Sequence, residues 1–131
     1  MADTKLKVTF IDIQVTRDGD PLDKGEIYWS FKVDGSVVTS RSVANPLSIG
    51  SGGTITLGAS STVTKSGAVG TNIVVSGSVS EKDSGFNGKD DSDSFSHSYN
   101  AGSNWGTSNP HPVDLVDNNL NVTLNYIIER V

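Results

Sequence analysis

Four acids crowd into nine residues of "VTRDGDPLDKGEIYWSF": Asp18, Asp20, Asp23 and Glu26. A second stretch, "SEKDSGFNGKDDSDSF", holds Glu81, Asp83, Asp90, Asp91 and Asp93. Together these windows take nine of the 15 acidic residues in a chain of 131. Charge that only confers solubility is scattered over strand faces and turns. Carboxylates gathered this tightly repel one another and raise each other's pKa values unless a positive charge joins them. The chemistry they suit is the binding of a cation.

Calcium fits the donors. It is a hard ion that takes about six to eight oxygens and tolerates irregular loop geometry, whereas magnesium demands a stricter octahedron and keeps its waters. Zinc and copper favour His or Cys; neither window contains either, and the chain has no cysteine. The spacing of Asp18, Asp20 and Asp23 is not that of an EF-hand loop, and no helical pattern flanks it.

The elements that must position these acids read as β throughout. "KLKVTF" alternates with Leu6, Val8 and Phe10 on one face, and "IDIQV" continues with Ile11, Ile13 and Val15. The phase slips between Phe10 and Ile11, the mark of a bulge or of a strand changing its packing face. "EIYWSFKV" places Ile27, Trp29, Phe31 and Val33 together, and the following Asp34-Gly35 is favoured hairpin-turn chemistry. That reading gives strands at about 26–33 and 36–43. Residues 44–72 are rich in Gly, Ser and Thr but keep short alternations in "GTITLG" and "STVTKS". Stronger strands follow in "NIVVSGSVSE", "DSFSHSYN" and "LNVTLNYIIERV". Sustained helical periodicity is absent. Residues 1–131 therefore read as one all-β domain, an antiparallel two-sheet β-sandwich of about eight strands. Each acid window joins two predicted strands, so a sandwich can bring both to one end.

"LKVTFIDIQVTRDGDPLDKGEIYWSFKVDG" followed by "NIVVSGSVSEKDSGFNGKDDSDSF" resembles a bacterial C2-like domain over about residues 5–99. The resemblance implies an eight-stranded sandwich of permuted topology that binds calcium through aspartates on loops at one end. It implies a first-loop role for Asp18, Asp20 and Asp23 and a third-loop role for Asp83, Asp90, Asp91 and Asp93, with Glu26 and Glu81 at the bordering strand ends.

Three uses of such a cation stand side by side. The first is a non-enzymatic calcium-binding module whose ordered loops shape a surface for a protein or a membrane. Charge weighs against anionic lipid: nine acids against Lys24, Lys82 and Lys89 leave the tip at about −6. Two calcium ions would still leave it negative, and a lipid switch needs a positive tip. Phe86 is the residue that would enter a bilayer, or fold back over its loop. The second use is a calcium-assisted carbohydrate-binding module or lectin, with Trp105 in "NAGSNWGTSNPHP" stacking on a sugar or plugging the sandwich. The third, an enzyme, lacks its machinery. His97 and His111 have no recognisable nucleophile beside them, and "GSGG" lacks the Lys-Ser/Thr of a phosphate loop.

The net charge of −5 argues against a broad nucleic-acid surface. No apolar run approaches the roughly 20 residues of a membrane span. "MADTKLKV" shows no secretory signal, yet modest-affinity loop sites suit the millimolar calcium outside cells. The expectation is an extracellular or surface-associated role. The long strand "LNVTLNYIIERV" raises a homodimer, if it lies at a sheet edge.

Overall fold

A computed structural model describes residues 3–20, 24–58, 61–68, 70–82 and 90–131. The strands are β1 (Thr4–Asp18), β2 (Gly25–Val33), β3 (Ser36–Arg41), β4 (Leu47–Ile49), β5 (Thr54–Thr56), β6 (Thr62–Gly67), β7 (Ile73–Glu81), β8 (Asp91–Tyr99), β9 (His111–Asp117) and β10 (Leu120–Arg130). A 3-10 turn spans Ala101–Gly106 between β8 and β9. No helix among the described residues is long and apolar enough to cross a membrane.

Two antiparallel sheets result. One runs β5-β1-β10-β9, with β6 also on β1; the other runs β3-β2-β7-β8, with β4 also on β2. The two short pairs share positions. β5 lies along Asp12–Gln14 and β6 along Thr4–Thr9 of β1, while β4 lies along Gly25–Ile27 and β3 along Trp29–Val33 of β2. Ten strands therefore fill the eight positions expected of the sandwich. Asp34 and Gly35 turn the β2–β3 hairpin with φ of 51° and 80°, both positive as the sequence pair predicts.

Alternation places the core. Ile27, Trp29, Phe31 and Val33 bury one face of β2, and Leu120, Val122, Leu124, Tyr126 and Ile128 bury one face of β10. The sheets meet through aromatic rings. Phe10 of β1 stacks on Phe31 of β2 with centroids 5.3 Å apart, and Tyr126 stacks on Phe95 of β8 at 6.1 Å.

The predicted slip in β1 is a β-bulge. Phe10 pairs with Tyr126 and Asp12 with Asn125, so Ile11 is the extra residue and lies 36% exposed. The expectation that Ile11 shares a face with Ile13 and Val15 is corrected by this: the bulge residue turns out, and the two after it rejoin the core. A second irregularity between Val15 and Arg17 leaves Thr16 extra and turns Asp18 inward opposite Leu120.

β10 is not an edge strand. It pairs with β1 on one side and β9 on the other, which removes the edge on which a homodimer was expected to form. Its uniformly apolar inner face is what a central strand needs.

Tyr126 is fully buried, and its phenol is held far above its ordinary value by burial and then by the Tyr99 hydroxyl it meets. The His97 Nδ1 lies 3.5 Å from the Tyr126 hydroxyl and the His111 Nδ1 lies 3.4 Å from that of Tyr99, so both histidines end on this phenol pair. A phenol with a raised folded-state pKa gives stability that is whole below the unfolded value near 10 and falls as pH rises above it. Alkaline unfolding followed by circular dichroism should show the wild type losing up to about 1.4 kcal/mol per pH unit above about pH 10 from this group. Tyr126→Phe should cost about 1–2 kcal/mol at neutral pH and flatten that alkaline limb.

Candidate metal centre

The ends of β1, β7 and β9 and the starts of β2, β8 and β10 lie at one end of the sandwich, together with residues 50–53 between β4 and β5. Asp18 sits where the sheets close. It is 6% exposed, and its carboxylate accepts from the amide of Asp20 at 2.9 Å and of Ser51 at 3.2 Å. The Asp18 amide in turn donates to Ser51 Oγ at 3.2 Å. A buried carboxylate survives only with such partners. β1 runs three residues beyond Val15, its last apolar residue, so Asp18 belongs to the strand and not to the loop.

Close approach explains two glycines. A side chain on Gly25 would bring its Cβ within 2.1 Å of the Asp18 carbonyl oxygen, so β2 can start against β1 only without one. Gly19, at φ +84°, lies over Glu81: a Cβ there would stand 2.9 Å from Glu81 Cγ. Glu81 is 5% exposed at the end of β7. Gly19 of the first acid window therefore lies against Glu81 of the second, across the two sheets.

The other acids divide by strand face. Glu26 and Tyr28 alternate with the buried Gly25, Ile27 and Trp29, and so lie on the outer face of β2. The Tyr28 hydroxyl donates to Asp90 Oδ2 at 2.6 Å. Burial first, then this bond, pushes the Tyr28 phenol up. The Lys82 amide donates to the Glu26 carbonyl at 2.8 Å and ties the start of the second loop to β2. Asp91 pairs with Glu81 and Asp93 with Val79, so both point to the inner side at the sheet margin. There Asp91 Oδ1 accepts from Asn118 Nδ2 at 3.0 Å, and Asp93 Oδ2 accepts from the Val116 amide at 3.0 Å. Asp23, Asp83, Phe86 and Lys89 lie outside the described residues.

A cleft of about 200 Å³ opens beside Asp18, lined by Arg17, Asp18, Gly19, Asp20, Ser51 and Asn119. Arg17 donates to Asn119 Oδ1 at 2.9 Å across its rim. Among the described residues, no three acidic or His side chains converge as a ligand set. Asp18 and Asp20 border this cleft and Glu81 lies against Gly19, and all three are hard oxygen donors of the kind calcium takes.

Sequence reasoning missed Ser51, Asn118 and Asn119. The first lies in a Gly/Ser-rich stretch with no charge to mark it. The asparagines follow Asp117 in "VDNN", a turn signal between two strands that points to the acid end only once β9 is seen beside β8.

Trp105 lies at the opposite end. It is 3% exposed and packs on Gly67 and Leu6, closing the sandwich and presenting no ring face to a sugar.

These features define a C2-like β-sandwich: two antiparallel sheets of four positions each, with acidic connections at one end. Among solved structures, the two-domain C2A–C2B structure of extended-synaptotagmin 2 superposes with a TM-score of 0.54 at 12% identity, over 99% of this chain. The match takes up 42% of that structure's chain, so this protein spans less than half of it. A structure described as a C2 domain gives a TM-score of 0.50 at 12% identity, covering 95% of this chain and 97% of that one. No protein-family model and no curated protein matches the sequence. The likeness is one of fold.

Replacing Gly25 by Ala puts a methyl group into the Asp18 backbone. Urea denaturation should show a loss of about 2–3 kcal/mol, the upper range for overpacking, because main chain must move.

Proposed function

We propose that this protein is a non-enzymatic, calcium-binding C2-like module. The observation that carries the reading is the seating of Gly19 on Glu81, which brings the two acid windows to one end of the sandwich. Asp18 and Asp20 on one side and Glu81 on the other would hold the ion, and Asp23, Glu26, Asp83 and Asp90 belong to the same two windows. Calcium would supply the positive charge that offsets the repulsion among these carboxylates. It would fix Gly19 and Asp20 against the end of β7 and so shape the end of the molecule for a partner, a protein ahead of an anionic membrane because the acid windows keep a negative balance. The modest affinity expected of loop sites fits an extracellular or surface setting.

Thermal melts of chelator-treated protein, titrated separately with calcium and magnesium, test this. An ion that binds only the folded state adds about 2.7 kcal/mol at a hundredfold excess over Kd, or roughly 10 °C for a chain of this size. The rise should be selective for calcium and vanish in Asp20→Asn combined with Glu81→Gln. A flat titration to millimolar calcium would overturn the reading.

A further inference from the structure

We propose that Asp93 and Asp117 form a reciprocal clasp that locks the two sheets together along one margin, and that Asp93 stands outside the cation-binding set. β8 ends one sheet and β9 ends the other. No ladder joins them, yet each carries a carboxylate that takes an amide of its neighbour. The Val116 amide on β9 donates to Asp93 Oδ2 at 3.0 Å, and the Ser92 amide on β8 donates to Asp117 Oδ2 at 2.9 Å. Asn118 Nδ2 adds a third bond to Asp91 Oδ1 at 3.0 Å.

Two physical consequences follow. End strands expose unpaired amides that invite other chains, and here carboxylates on the facing strand engage two of them. Hydrogen bonds to an ionised acceptor are the stronger kind. Asp93 Oδ1 also accepts from the Ser94 amide at 2.9 Å. Asp93 shares a sequence window with Glu81, Asp90 and Asp91, but it pairs with Val79, one inner-face position further from the acid end than the Glu81–Asp91 pair, and its side chain faces β9.

The second half of this proposal rests on the calcium reading; the clasp itself does not. Amide hydrogen exchange in chelator tests the clasp. Asp93→Ala should speed exchange at Val116 by tenfold or more, and Asp117→Ala should do the same at Ser92. Each should lower the melting temperature by several degrees. Asp93→Asn, which keeps one acceptor oxygen, should give an intermediate rate and preserves the test if the alanine variant fails to fold. The calcium-induced rise in melting temperature should be the same in Asp93→Asn as in wild type. Unchanged exchange at both amides would overturn the clasp. Loss of the calcium response in Asp93→Asn, with its chelated stability unaltered, would return Asp93 to the ligands. A wild type that ignores calcium would sink the cation reading alone, and the exchange rates would still decide the clasp.

Discussion

The fold turns on the 15 residues of β1. This strand pairs with β10 along nearly its whole length, so it cannot shift without breaking the longest ladder in the molecule. An unbroken alternation would carry Asp12 into the core and Ile13 out of it. The extra residue at Ile11 resets the face in time for Ile13 and Val15. The extra residue at Thr16 resets it again and delivers Asp18, not Arg17, to the inner side. Both the core and the acid end depend on these two insertions.

With Asp18 inside, the surrounding residues have narrow freedom. The carboxylate needs donors, and the 50–53 connection brings the Ser51 amide to it. The start of β2 must pass against the Asp18 main chain, which only Gly25 permits. The turn after Asp18 then falls on Glu81. In this way a local irregularity in one sheet sets the distance between acids that are more than 60 residues apart in sequence. The acid-rich end and the Trp105 end consequently differ in kind. One gathers acidic side chains, and the other is built around a buried indole.

The margin between β8 and β9 is held by different means from the centre. Stacked aromatic rings join the sheets in the middle, while carboxylate-to-amide bonds join them at the edge. A sandwich with two open edges is exposed to unwanted strand pairing, and side-chain acceptors aimed at edge amides counter that without closing a barrel. The acids near the tip therefore divide between a place where loops meet and a seam along the sheets.

Periodicity alone determined much of this protein. The alternations of β2, β7 and β10, the Asp34-Gly35 hairpin and the phase slip at Phe10 were legible because side-chain direction follows a period of two wherever one face is buried. Residue type also marked the two acid windows and Trp105 in its polar loop. Tertiary structure decided what local pattern cannot encode. β10 reads the same at an edge or in the middle, and only its pairing with β1 and β9 makes it central. Asp18 was expected in a loop because one acid after an arginine carries no sign of the second bulge. Asp91 and Asp93 look like their neighbours in "KDDSDSF", yet they face β9 because β8 lies at the sheet margin beside it. Sequence sets which residues share a face, but the atom that a carboxylate meets depends on which strand folds back beside it.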